Sequence, residues 1–118
     1  VGPLFHRVKL IEHSGGAIHE ILTEHATYMY MNTYVDSANG TGNIRLPKVA
    51  ENEGRMYRFK SDGTITATKN YRIALQADEQ TAGVRIDGNT SFAMDRDYDG
   101  IAVLCYDGQW YVIQRKAK

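Results

Sequence analysis

The segment DRDYDG, residues 95–100, carries three aspartates at alternate positions and then a glycine, which is how an EF-hand calcium loop begins. Such a loop also needs a bidentate glutamate at its twelfth position and a helix on each side. Counting from Asp95, the twelfth position is Tyr106, and the flanking segments have the composition of strands. We therefore interpret the segment as a solvated acidic turn. Gly100 would give this turn its backbone freedom, and a strand would start near Tyr98. A looser calcium site on a β-loop is the alternative.

Histidines are the next residues with metal-binding chemistry, at His6, His13, His19 and His25. The segment HEILTEH begins like a zinc-protease helix, but that motif needs its second histidine four residues after the first. Thr23 occupies that position. Solvated or hydrogen-bonded histidines are the expectation, with convergence of three of them on a metal as the alternative. We predict no metal and no cofactor.

No catalytic motif is present in the sequence. There is no G-x-S-x-G elbow, no phosphate-binding loop with its lysine, and no arrangement that pairs two carboxylates across a cleft. The single cysteine, Cys105, lies in the apolar run IAVLC and is expected to be a buried, unreactive thiol. We therefore predict that the protein is not an enzyme, and a hydrolase is the weakest of the alternatives.

Charge and hydropathy exclude several classes of partner. Among the 118 residues, 14 lysines and arginines balance 14 aspartates and glutamates, so no net field attracts a polyanion. Apolar runs are only a few residues long, which predicts no membrane-spanning segment. We expect no leader peptide, because the first ten residues include His6, Arg7 and Lys9. One cysteine excludes a disulfide within the chain.

Short alternating segments separated by turn residues predict an all-β protein. The segment 18–26 is predicted as a strand plus turn, with a short helix as the alternative, and 36–43 and 78–83 are predicted loops. The segment 48–54 is predicted as a turn or one helical turn, and the Asp-Gly pairs as tight turns. We expect one antiparallel β-sandwich or barrel-like domain at 27–118, preceded by an extended N-terminal arm with the first strands at 1–26. The predicted strands are 4–13, 28–35, 44–47, 55–61, 64–75, 84–86, 90–94, 101–106 and 109–116.

The strand 101–106 has apolar residues on both faces, which predicts a central strand that is buried on both sides. Asp107 and Gly108 form a two-residue hairpin signal after it. Trp110 would then pack across from this strand. A small domain with such a strand and eight tyrosines is consistent with an interface between copies.

Five short motifs carry a likeness to a known group of proteins: IRLP (44–47), GRMYRF (54–59), IDG (86–88), YDGIAV (98–103) and DGQWYVI (107–113). Together they resemble the repeated-strand modules of tailed-bacteriophage virion proteins, which occur in fibres, tail appendages and capsid decoration proteins. The resemblance covers about residues 27–114, and the first 25 residues do not match it. It implies a homotrimer without catalytic residues, located in the virion.

Two functions of different classes follow from these expectations. The first is a structural virion protein of a tailed phage, a capsid decoration (cement) protein that stabilises the shell as a trimer by contact with the major capsid protein or another virion protein. We expect the chain to be complete, and its shortness and N-terminal arm favour this location over a fibre. The second is a tail or head fibre or receptor-binding module for host-surface carbohydrate. The residues for such a ligand, or for an interface, are Tyr28, Tyr30, Tyr34 and Trp110. Neither reading involves nucleic acid or a membrane.

Overall fold

The strands form two mixed sheets that pack face to face, which confirms the expected all-β sandwich. The computed structural model describes residues 7–13, 18–21, 28–35 and 38–116, and within these ranges the sheets do not close into a barrel. The strands β1 to β9 span Arg7–His13, Ile18–Glu20, Tyr28–Tyr34, Gly40–Arg45, Met56–Ser61, Lys69–Ala74, Ser91–Met94, Gly100–Tyr106 and Gln109–Lys116. The first sheet has the order β1-β3-β5-β8-β9, and the second has the order β2-β4-β6-β7.

The first six strands alternate between the two sheets. The chain therefore returns to each sheet in the same direction, so β1, β3 and β5 are parallel neighbours, as are β2, β4 and β6. Here the expectation of an antiparallel sandwich differs from the structure. Asp62 and Gly63 form a turn, in which an Asp62 carboxylate oxygen accepts from the Thr64 amide at 2.9 Å. This turn leads from one sheet to the other, and β5 and β6 are not a hairpin.

The last three strands complete the sheets in the antiparallel sense. β7 pairs with β6, and the hairpin β8-β9 pairs with β5. Asp107 and Gly108 have φ values of 51° and 73°, so the predicted tight hairpin is confirmed. A bulge lies between Ala102 and Val103, where Ile113 is the extra residue on β9. β8 lies inside its sheet, as predicted, but the prediction that it is buried on both sides is wrong, because Leu104 is half-buried and Tyr106 is 60% exposed on its outer side.

Other segments depart from the sequence-based expectation. The described part of segment 1–26 forms edge strands of both sheets, since β1 pairs with β3 and β2 pairs with β4. The predicted loop 36–43 contains the start of β4 at Gly40, and the predicted loop 78–83 is mostly a short helix, α1, at Ala77–Thr81. Residues 84–88 form only isolated bridges at Ile86. A 3-10 turn at Val49–Glu51 confirms the predicted helical turn.

Aromatic side chains dominate the core between the sheets. Tyr30 and Phe59 stack at 5.3 Å between ring centroids, and Tyr57 meets Trp110 edge to face at 5.8 Å. All four are at most 2% exposed. Burying one such ring contributes roughly 1.5–3 kcal/mol, so these four rings are a large part of what holds the sheets together. Tyr71 adds a polar link, because its hydroxyl donates to a backbone carbonyl of β3, that of Thr33, at 2.7 Å.

Candidate interaction surface

Three of the four side chains that the sequence suggested for ligand stacking lie in the core. Tyr30, Tyr34 and Trp110 are 2%, 5% and 0% exposed, and the Tyr34 hydroxyl donates to the carbonyl of Ala38 at 2.7 Å. Stacking on a sugar or on a partner requires an exposed ring face, which these three do not offer. The Tyr28 side chain lies outside the described residues, although its backbone pairs with Arg7 at the start of β3. The alternation of tyrosine with methionine in YMYMNTY did not indicate which set faces inward.

The acidic segment 95–100 is a turn between β7 and β8, as predicted. Its positive φ falls on Tyr98, at 59°, and Gly100 instead begins the strand. Asp99 differs most from the expectation of a wet turn, because it is 0% exposed and pairs with Arg115 at 3.0 Å. Within the described ranges no group of three histidines, cysteines, aspartates or glutamates is placed to hold a metal ion.

The outer face of the five-stranded sheet carries most of the exposed large apolar side chains of the described residues. Burial alternates along β3 and β5, so that one set of side chains points into the core and the other points outward. Seven large apolar side chains are exposed in the described part of the chain, and five of them lie on this face. We call it the apolar face, and its large apolar members are Val8, Leu10, Met29, Met31, Met56, Leu104, Tyr106, Tyr111 and Ile113.

The opposite outer surface, on the four-stranded sheet, has a different chemistry. Its outward residues on β4 and β6 are mostly polar or charged, and Thr41 donates to Asn70 across the two strands at 2.7 Å. Arg45 and Arg72 also lie on this side. The contrast matters because a sandwich in solution needs only one apolar side per sheet, and the five-stranded sheet has two.

A groove runs across the middle of the apolar face. It has a volume of about 180 Å³ and is lined by residues of β3, β5, β8 and β9. Gly100 and Ala102 make it deep, because β8 has no long side chain at these two positions. Arg58 and Lys60 on β5 form one wall, and Gln114 on β9 lies on the other side of Ala102.

The two cations of the groove differ in how they are held. The Lys60 ammonium donates to the backbone carbonyl of Tyr98 at 2.5 Å, which fixes its position at the end of the groove. Arg58 makes no hydrogen bond or ion pair within the described residues, although it is half-buried. A guanidinium presents five donors in a planar group, which suits a carboxylate.

A row of buried polar residues supports the same sheet from its inner side. Asn32, Ser61 and Asp99 lie on neighbouring strands or at their ends, and each is 0% exposed. Only Asp99 has a charged partner, Arg115, whose guanidinium also donates to the carbonyl of Ala93 at 2.9 Å. The Asn32 side-chain amide donates to the Met94 sulfur at 3.4 Å, whereas Asn32 Oδ1, Ser61 Oγ and one Asp99 oxygen have no hydrogen-bond partner within the described residues.

The cysteine thiol takes no part in this surface. Cys105 is 0% exposed on the inner face of β8, and burial is the first cause that raises the pKa of its thiol, to about 11. A thiol with such a pKa carries almost no thiolate near neutral pH, so it is a poor nucleophile. The prediction of a buried cysteine is confirmed.

No protein-family model matches the chain, and no curated protein matches it. In the described part of the chain no helix is both long and apolar enough to cross a bilayer.

Proposed function

We propose that this protein is a structural subunit of a tailed-bacteriophage virion, a capsid decoration protein that stabilises the shell as a homotrimer. In this proposal it acts by burying its apolar face against neighbouring chains, and it catalyses no reaction. The proposal combines the resemblance of residues 27–114 to virion modules with the one observation that carries it here, the second apolar side of the five-stranded sheet.

The size of this face suits a protein partner. Five strands at a spacing of about 4.8 Å and about six residues at about 3.3 Å give a footprint of roughly 480 Å². This footprint also includes Arg58, Lys60 and Gln114, so the apolar part is smaller than the whole face. The largest apolar patches of monomers cover about 300–600 Å² and are often functional. A standard interface buries about 800 Å² of accessible surface per partner, so the face with its protruding side chains supplies most of that area.

A fibre or receptor-binding module that binds host carbohydrate is the second candidate. The observation in its favour is Tyr106 beside Tyr111 at the rim of the apolar face, with ring centroids 6.3 Å apart and exposed fractions of 60% and 41%. Exposed aromatic rings of this kind can stack on sugars. The groove itself, at about 180 Å³, is smaller than the roughly 300–1,000 Å³ of a small-molecule site.

The mass of the protein in solution, with and without purified tailed-phage capsids, tests the proposal. A decoration protein is expected to be trimeric and to sediment with expanded shells. A monomer that stays in the supernatant with every capsid form would contradict the proposal. Binding to immobilised host polysaccharide that is lost in Tyr111→Ala would instead favour the second candidate.

A further inference from the structure

We infer that the groove in the apolar face binds a protein segment that presents a carboxylate next to an apolar side chain, contributed by a protein other than a second copy of this chain. This inference rests on the proposed function, since it names the chemistry of the partner that covers the apolar face. It depends on three observations: the charge of the groove wall, the apolar floor, and the symmetry of any self-contact.

The two cations in the wall of the groove require an anion from a partner that covers them. Arg58 and Lys60 both project from β5 into the middle of the face. Arg58 has no partner within the described residues. An acidic residue described on the outward side of this sheet, Glu12, lies on the edge strand β1, two strands away from β5. A guanidinium that becomes buried in an interface without an anion costs several kcal/mol, so a partner that covers Arg58 must supply one. A carboxylate satisfies it with two parallel hydrogen bonds.

The floor of the groove favours an apolar group beside that carboxylate. Ala102 is only 2% exposed, and Gly100 next to it has no side chain, so the floor is formed by small, uncharged residues. Met29 closes the groove on the side of β3. A volume of about 180 Å³ holds one large apolar side chain and is too small for a cofactor or an oligosaccharide.

A second copy of the chain is the wrong partner for this groove where a symmetry axis passes through the groove. A rotation axis through the groove brings the same strand, β5, of each copy to the axis. The guanidinium of Arg58 would then face its own equivalent, and placing like charges together across an interface costs several kcal/mol. The symmetry axis of a homotrimer is therefore expected away from the groove and β5.

A nucleic acid is also a poor match. Only two cations line the groove, the chain has no net charge, and the surroundings are methionine, leucine and tyrosine side chains. Binding to a phosphate backbone comes from many lysine and arginine contacts along a basic surface. The apolar floor would remain uncovered by a phosphate group.

Titration of the isotope-labelled full chain with a short synthetic peptide of alternating leucine and glutamate tests the inference. We expect amide shift changes centred on Gly100, Ala102 and Arg58. Affinity should fall about tenfold or more in Arg58→Glu, because the contact with the carboxylate becomes repulsive. Arg72→Glu is the matched control, since it makes the same charge change on the opposite outer surface, and it should alter affinity less than about twofold. Peptides with lysine for each glutamate, or serine for each leucine, should not bind.

Several results would overturn the inference. They are shift changes confined to the edge strands, equal affinity of Arg58→Glu and the parent, or tighter binding of a single-stranded oligonucleotide at the same residues. Self-association that Arg58→Ala abolishes would identify a second copy as the occupant. The proposed function has its own test, because it requires that the apolar face become protected in assembled particles whether or not this peptide binds.

Discussion

Replacing Arg115 by alanine removes the partner of the buried Asp99 carboxylate. One Asp99 oxygen accepts from Arg115 at 3.0 Å, the other has no hydrogen-bond partner within the described residues, and Asp99 is 0% exposed. Breaking a buried ion pair by deleting one member costs about 3–5 kcal/mol. The Arg115 side chain is 33% exposed, so water can partly replace it, and we take about 2–3 kcal/mol as the expected loss. A chain of this length has a stability of roughly 6–18 kcal/mol, so the variant should still fold.

Urea unfolding measures this loss directly. With a slope of about 1–3 kcal/mol per molar for a small protein, the midpoint should fall by about 0.7–3 M. Lys48→Ala is the control, since it breaks the Lys48–Asp78 pair, whose side chains are 52% and 61% exposed, and its midpoint should not move measurably. Asp99→Asn in the Arg115→Ala background should recover part of the loss because the buried charge is gone. Equal midpoints for Arg115→Ala and Lys48→Ala would refute the burial of this pair.

Three further predictions concern the core and the last hairpin. The Cys105 thiol, with its raised pKa of about 11, should not react with a disulfide reagent at pH 8 in the folded protein, and it should react fully in urea. A fast reaction of the folded protein would contradict the burial of this thiol. Tyr71→Phe should lower the free energy of unfolding by about 0.5–1.5 kcal/mol, because its hydroxyl no longer donates to Thr33; no loss by urea titration would contradict that role. Gly108→Ala should lower the free energy of unfolding by about 1–2 kcal/mol in the same assay, because φ is 73° at this position and left-handed backbone disfavours a Cβ. The cost is not a clash, since no atom lies within 4 Å of the added Cβ. A neutral result would contradict the described turn.

Local signals in the sequence predicted the hairpin and the sandwich but not the direction of most strand pairs. The Asp107-Gly108 turn is decided by its own two residues, which must take positive φ. Asp62 and Gly63 also form a turn, yet the strands on either side belong to different sheets. Strand pairing is a contact between distant segments, so a turn signal alone does not specify which strand is the neighbour.

The candidate surface could not be predicted from the sequence, for a related reason. In the segment YMYMNTY both alternating sets are apolar, so the period of two does not indicate which set faces the core. The structure places Tyr30 inward and Met29 and Met31 outward. Asp99 could not be predicted as buried either, because its partner Arg115 is 16 residues away and reaches it only across the paired strands.

The central claim is that the apolar face is covered by another chain in the assembled particle. Methionine oxidation tests it most directly, because Met29, Met31 and Met56 are half-buried on this face, whereas Met94 is 0% exposed in the core and serves as an internal control. Oxidation rates from mass spectrometry are compared between particles that contain the chain and the same chain diluted to the monomer. We predict that the three surface methionines react about tenfold or more slowly in the particles, because a packed interface excludes solvent from its buried core. Met94 should stay unreactive in both. Equal rates for the three methionines in particle and monomer would contradict the claim.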